Sequence, residues 1–251
     1  MTDPVTERIK ARDGVSLAVH RLGEGRPAIL LHGLFSNAHT NWIRYGHAKT
    51  VADAGFEVFM PDLRAHGQSD APHDAAAYPR DVLVRDLEDV ASHYALRNFD
   101  LAGFSLGSRT AAAAIIAGMA PRRLVLAGMG LEGLSGWQRR GGFFIDAIDR
   151  FDEIKRGDPA FFAVQFMKTT KVDRVAARHV LCSVGDVDGR DLARITMPTL
   201  VLCGDQDRDN GSPQALAQAL PDARLEEVSG THMSSIVDPA LGEAIANFLS
   251  A

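Results

Sequence analysis

Short runs of apolar residues recur along the chain, and amphipathic or alanine-rich stretches separate most of them. In most runs the apolar positions are consecutive, with no polar residue in every second place. Consecutive apolar positions are typical of strands that are buried on both faces of a parallel sheet. The pattern therefore predicts central strands at residues 27–31, 56–60, 99–103, 123–127, 199–203 and 224–228.

The beginning of the chain has a different pattern. Two segments, 7–11 and 15–22, flank Asp13-Gly14, a dipeptide that is favoured in tight hairpin turns. Apolar and polar residues alternate over 15–19, which indicates a strand. We therefore expect an antiparallel hairpin before the first central strand.

Helical patterns lie between the predicted central strands. Residues 81–90 are amphipathic, residues 105–117 are rich in Ala and Ile, and a further helix is predicted at 239–249. Ser212-Pro213 fits the N-cap and first-turn positions of a helix over 214–220. Strands that alternate with helices through short connections predict an α/β fold, with a mostly parallel sheet covered by helices on both faces.

Residues 131–190 break this alternation. Helical patterns are predicted over 143–154, 159–168 and 173–183, and the stretch holds six of the twelve Phe residues. So many rings favour a helical cap insertion that forms a pocket wall, although they could also only pack the insertion onto the body. The predicted organisation is a core of 1–130 and 191–251 with a cap of 131–190.

Charge and composition narrow the possible partners. The 251 residues carry a net charge of −5, and no Lys/Arg run exceeds two, so nucleic acid and anionic membranes are not expected partners. No stretch reaches the roughly 18 apolar residues of a membrane span, and the polar start does not resemble a signal peptide. Cys182 and Cys203 do not suggest a disulfide framework, so we expect a cytoplasmic location.

The strongest chemical signal is the segment Gly103-Phe104-Ser105-Leu106-Gly107, which reads G-x-S-x-G. It stands where a predicted strand gives way to a predicted helix, as a nucleophile elbow requires. A side chain at either glycine would collide with the neighbouring strand or helix. The turn lifts the Ser105 hydroxyl off the sheet at the positive end of a helix.

A serine hydroxyl is a poor nucleophile near neutral pH unless a base and an orienting group assist it. Asp205, Asp207 and Asp209 follow one predicted central strand, and His232 follows the next. Because the carboxyl ends of parallel strands gather at one edge of a sheet, these side chains are expected to meet Ser105 there.

Five segments in this order resemble the α/β-hydrolase superfamily over nearly the whole chain, specifically its small, cap-bearing esterases and related hydrolases. The segments are His32-Gly33-Leu34, Asp62-Leu63-Arg64-Ala65-His66-Gly67-Gln68-Ser69, the elbow at 103–107, Gly204-x-x-Asp207 and Gly230-Thr231-His232. The second segment departs from the usual D-x-R-G-x-G-x-S pattern, since Ala65 replaces a glycine.

The resemblance implies roles by position. By this resemblance, Ser105 is the nucleophile and His232 is the general base and acid. Asp207 is the orienting carboxylate, in preference to Asp205 or Asp209. The backbone N–H groups of Leu34 and Leu106 form the oxyanion hole. His32 and His66 are expected to be structural, holding a loop and bracing a turn. Neither a dinucleotide fingerprint nor a P-loop occurs, and the histidines lack metal-ligand spacing, so no cofactor or metal is implied.

The expected function is hydrolysis of a carboxylic ester or lactone of a small, mostly apolar molecule through an acyl-enzyme intermediate. A carbon–carbon bond hydrolase or a perhydrolase could use the same triad, although perhydrolases usually carry Met where Leu106 stands. A ligand-binding or signalling protein with slow turnover is a further alternative. The adjacent Arg139 and Arg140 are expected to be exposed to solvent, with contact to a substrate carboxylate as the alternative.

Overall fold

The computed structural model describes residues 3–251, in which eight strands form one sheet in the order β1-β2-β4-β3-β5-β6-β7-β8. The strands are β1 (Val5–Lys10), β2 (Ser16–Leu22), β3 (Arg26–Leu31), β4 (Phe56–Pro61), β5 (Asp100–Phe104), β6 (Leu124–Ala127), β7 (Thr199–Gly204) and β8 (Ala223–Val228). Strands β3 to β8 pair in parallel, whereas β2 is antiparallel to both β1 and β4. The predicted mostly parallel sheet and the N-terminal hairpin are both confirmed.

Nine α-helices occur within residues 3–251. They are α1 (His47–Asp53), α2 (Val82–His93), α3 (Leu106–Ile116), α4 (Leu131–Ser135), α5 (Trp137–Asp149), α6 (Phe161–Thr170), α7 (Arg174–Ser183), α8 (Pro213–Ala219) and α9 (Pro239–Ser250). Ser212 caps α8 through its side chain, with Pro213 in the first turn, as its sequence predicts.

The two faces of the sheet explain why the central strands are apolar at consecutive positions. In β3, Ile29 and Leu31 pack into a cluster with residues of α2 and α3, whereas Ala28 and Leu30 pack into a second cluster with residues of α1 and α9. All four side chains are fully buried. Helices therefore cover both faces, and neither face of a central strand can accept polar residues without loss of stability.

Residues 131–190 contain the helices α4 to α7, and α5 packs against α6 and α7. The first long helix of this stretch begins and ends earlier than the predicted 143–154. It includes Gly141, where a Cβ would lie 3.1 Å from Nε1 of Trp137, and Gly142. It ends at Asp149, and the following residue, Arg150, pairs with Asp146 at 2.6 Å and with Asp158 at 3.0 Å.

A buried arginine on the helix after Ser105 joins the two ends of this stretch. Arg109 donates hydrogen bonds to the carbonyls of Gly133, at 2.8 Å, and Gly185. Its guanidinium also lies 5.0 Å from the ring of Trp137. Residues near both ends of the 131–190 stretch are thereby attached to α3. The division of the chain into core and cap stays a prediction.

Candidate active site

The G-x-S-x-G segment forms a sharp turn between β5 and α3. Ser105 has φ 53° and ψ −111°, a conformation that is rare for a residue with a side chain, and its N–H donates to the carbonyl of Ala127 at 2.9 Å. A Cβ on Gly103 would collide with the backbone of Gly107, and a Cβ on Gly107 would collide with the carbonyl of Leu31. The predicted reason for both glycines is therefore confirmed.

Two backbone donors flank Ser105. Among the described residues, neither the N–H of Leu106, at the start of α3, nor the N–H of Leu34, in the loop after β3, has a hydrogen-bond partner. Gly33 brings that loop close, because a Cβ there would lie 3.5 Å from the Cβ of Ser105. We call the loop that contains Leu34 and Phe35 the oxyanion loop. An oxyanion hole needs two such unpaired donors, and this role of Leu34 and Leu106 stays a prediction.

Two neutral histidines hold the oxyanion loop and the turn after β4. In both His32 and His66, Nδ1 donates to a backbone carbonyl. Nε2 of His32 accepts from the N–H of Leu63 at 2.9 Å, and Nε2 of His66 accepts from the N–H of Phe35 at 3.1 Å. Burial lowers the pKa of His66 to about 3 and also lowers the pKa of His32. With both nitrogens engaged, these rings are structural, as expected from the sequence.

The acid and the histidine meet as a buried pair. Nδ1 of His232 donates to Oδ2 of Asp207 at 2.8 Å, and the two residues are 9% and 4% exposed. Oδ1 of Asp207 accepts the N–H of Asp209 at 3.0 Å. Burial alone would raise the pKa of Asp207, but the hydrogen bond and charge of His232 hold that pKa below its usual value. Asp205 and Asp209 are exposed, so Asp207 is the carboxylate that orients the imidazole.

The imidazole of His232 lies beside the elbow. Its ring centroid is 5.0 Å from that of Phe104, the residue that precedes Ser105. Gly128 makes room for both rings, since a Cβ there would lie 3.1 Å from Cε1 of His232. Within residues 3–251, neither Nε2 of His232 nor the hydroxyl of Ser105 has a hydrogen-bond partner. The Ser105 hydroxyl and His232, which were expected to meet, are therefore not hydrogen-bonded to each other in this structure, although both lie at the carboxyl edge of the sheet.

Comparison with known proteins places the chain in a family. A sequence model described as the alpha/beta hydrolase family matches residues 28–241. The chain belongs to the alpha/beta hydrolase family. One relative in sequence, a non-heme chloroperoxidase of Kitasatospora aureofaciens, is 25% identical over 88% of this chain and 89% of its own length.

Two further similarities agree with the family. The AB hydrolase superfamily protein YisY of Bacillus subtilis is 37% identical over 103 residues, which are 41% of this alpha/beta hydrolase and 37% of the relative. The solved structure of an esterase from Exiguobacterium antarcticum has a TM-score of 0.77 and 21% identity, covering 98% of this chain and 100% of that one. At that identity the likeness shows the shared fold.

Sequence reasoning missed one residue near the site and misjudged the exposure of another. Asn210 is buried, and its amide donates to the carbonyl of Gly128 at 2.7 Å, which ties the loop after β7 to the end of β6. In the sequence, only the position of Asn210 just after the three aspartates could have indicated that it lies near the site. Arg139 is exposed as expected, but Arg140 is half-buried and donates to the carbonyl of Asp209. The expectation of solvent exposure is therefore wrong for Arg140.

A groove of about 610 Å³ lies at the other edge of the sheet, lined by residues that include Arg26, Glu57 and Asn98. These residues stand at the amino ends of β3, β4 and β5, far from the carboxyl edge where ligands bind in parallel sheets.

Within residues 3–251, no group of three or more His, Cys, Asp and Glu side chains is arranged to hold a metal ion. Over the same residues, no helix has the length and apolarity needed to cross a membrane.

Proposed function

We propose that this member of the family is a serine hydrolase that cleaves a carboxylic ester or lactone of a small, mostly apolar substrate. One observation carries the proposal: the buried hydrogen bond between Asp207 and His232 leaves Nε2 of His232 free beside the Ser105 elbow. The carboxylate only accepts, so the imidazole proton resides on Nδ1 and Nε2 is basic.

In the proposed mechanism, the Ser105 oxygen attacks the ester carbonyl while Nε2 of His232 takes the hydroxyl proton. The N–H groups of Leu34 and Leu106 bind the oxyanion, and the loss of one such donor costs about 10²–10³ in rate in a well-studied protease. His232 then gives its proton to the departing alcohol. Water, deprotonated by His232, attacks the acyl-enzyme and releases the acid and free Ser105.

The apolar lining supports a substrate with an apolar body. The ring of Phe144, on α5, meets the ring of Phe35 edge-on with centroids 5.5 Å apart. Leu34 is partly buried against the apolar core, whereas the side chain of Leu106 is buried within that core. An ester whose acyl or alcohol part is an alkyl or aryl group suits these surroundings.

Replacing Ser105 by Ala tests the proposal. We expect hydrolysis of 4-nitrophenyl butyrate to fall by at least about 10⁴-fold, since the remaining groups supply no nucleophile. His232→Ala should lose activity similarly, and circular dichroism and the melting temperature would verify that both variants fold. Wild-type activity in either variant would remove that residue from the proposed role.

A perhydrolase is the second candidate, favoured by the relative that is named a non-heme chloroperoxidase. In that reaction hydrogen peroxide, in place of water, would attack the acyl-enzyme and release a peracid. Leu106 opposes this candidate, since Met usually follows the nucleophile in perhydrolases. Peracid formation from acetate and peroxide, faster than ester hydrolysis, would favour it. Labelling of Ser105 by a fluorophosphonate with negligible turnover of any ester would instead favour a slow ligand-binding protein.

A further inference from the structure

Arg140 connects α5 to the loop that carries Asp207. Its guanidinium donates to the carbonyl of Asp209 and lies 5.4 Å from the ring centroid of Phe144. Its positive charge also contributes to the low pKa of Asp207. A half-buried cation therefore stands close to the pair formed by Asp207 and His232.

The contacts of Phe144 locate this cation relative to Ser105. Phe144 meets Phe35, and Phe35 lies in the oxyanion loop directly after Leu34. The contacts from Arg140 through Phe144 to Phe35 thus run from the loop of Asp207 to the oxyanion loop. The guanidinium is therefore linked to both loops, through the carbonyl of Asp209 and through Phe144.

Arg140 has no carboxylate partner among residues 3–251, since none of their carboxylate oxygens lies within 4.0 Å of its guanidinium. Among the exposed arginines of the 131–190 stretch, Arg174, Arg178 and Arg190 each pair with an aspartate, whereas Arg139 and Arg156 do not. A guanidinium has five N–H donors, and Arg140 uses one of them on a carbonyl. Burial lowers the pKa of Arg140, and the negative charges of Asp209 and Asp207 only partly offset that effect. A bound anion would stabilise the charged guanidinium further.

We propose that Arg140 binds a carboxylate of the substrate, so that the substrate is an ester or lactone that carries a separate carboxylate group. This inference rests on the proposed hydrolase function and specifies its substrate class. The planar guanidinium matches a carboxylate through two parallel hydrogen bonds. Asp207 and Asp209 stand nearby, and their negative charge favours a monoanion over a dianionic phosphate ester.

Two esters of equal acyl length provide the test. Mono-4-nitrophenyl glutarate carries a terminal carboxylate, whereas 4-nitrophenyl valerate ends in a methyl group. The measured quantity is the ratio of kcat/KM for the anionic ester to kcat/KM for the neutral ester. Arg140→Gln removes the charge, Arg140→Lys keeps it without the bidentate geometry, and Arg139→Gln is the matched control on the exposed neighbour.

We expect Arg140→Gln to lower this ratio by about ten- to a hundredfold, the usual effect of losing a charge-assisted hydrogen-bonded pair. Arg140→Lys should lower it less, and Arg139→Gln should leave it unchanged. If Arg140 only supports the loop of Asp207, Arg140→Gln would slow both esters equally and the ratio would stay constant. That result would overturn the inference.

A binding measurement separates this inference from the proposed function. Calorimetry on Ser105→Ala, with and without Arg140→Gln, compares monomethyl glutarate with methyl valerate, which requires no turnover. Tighter binding of the anion that disappears with Arg140→Gln would support the anion site, even if the wild type cleaves neither ester and the hydrolase proposal fails. Equal binding of the two compounds would overturn the anion site while leaving ester hydrolysis intact.

Discussion

Asp207→Asn is expected to remove most ester hydrolysis while the fold stays intact. Oδ1 of Asp207 accepts the N–H of Asp209 at 3.0 Å, and Oδ2 accepts the Nδ1 proton of His232 at 2.8 Å. In the variant, the amide oxygen satisfies the Asp209 N–H, which turns the amide nitrogen towards His232. Because that nitrogen donates, Nδ1 must accept and the imidazole proton moves to Nε2. His232 can then no longer take the proton of Ser105.

The expected loss is large because the pair is buried. An equivalent change in a serine protease lowers kcat by about 10⁴, which corresponds to about 5 kcal/mol in the barrier. Asp207 is 4% exposed, so water does not replace the lost charge beside the imidazolium that forms during reaction. We therefore expect kcat/KM for 4-nitrophenyl butyrate to fall by about 10³–10⁴-fold.

The neighbouring aspartates supply the comparison. Asp209→Asn changes an exposed side chain on the same loop and should lower kcat/KM less than tenfold. Asp205 accepts the N–H of Gly230 at 2.8 Å and supports the loop of His232, so Asp205→Asn should have an intermediate effect. Retention of more than a tenth of wild-type activity by Asp207→Asn, or an equal loss in Asp209→Asn, would refute the tautomer argument.

Two further predictions concern stability. Gly107→Ala should lower the free energy of unfolding in urea by about 1–3 kcal/mol, because the new methyl group collides with the carbonyl of Leu31. Gly142→Ala, a helical position with nothing within 4 Å of the new methyl, is the control and should not destabilise. Burial would raise the pKa of Asp62, but the hydrogen bond from His20 and further contacts hold it below 3.8. Ionised Asp62 therefore stabilises the fold above about pH 4, and this stability is lost as the pH falls through the lowered pKa. Below about pH 4, Asp62→Asn should reduce the slope of the free energy of unfolding against pH by up to about 1.4 kcal/mol per pH unit. An unchanged slope would contradict this role of Asp62.

Much of the fold is encoded in local sequence. A strand that is covered on both faces needs consecutive apolar residues. The apolar run in β3 therefore predicts that this strand is buried. The elbow needs glycines on each side of Ser105, because the backbone of β5, α3 and β3 leaves no room for a Cβ. The apolar run and the G-x-S-x-G spacing are both visible in short segments of sequence, although Gly107 is required by the distant strand β3. The order of the motifs then indicates the family.

Tertiary structure decided which neighbouring side chains are buried. The match to Gly204-x-x-Asp207 favours Asp207 over Asp205 and Asp209, but only the path of the loop buries Asp207 against His232 and leaves the other two in solvent. Arg139 and Arg140 are likewise adjacent and chemically identical, but one residue along α5 is a rotation of about 100°. That rotation leaves Arg139 in water and turns Arg140 towards Phe144 and the loop of Asp207. Which of two neighbouring residues is buried depends on how distant segments pack. No local pattern of hydrophobic and polar residues specifies that packing.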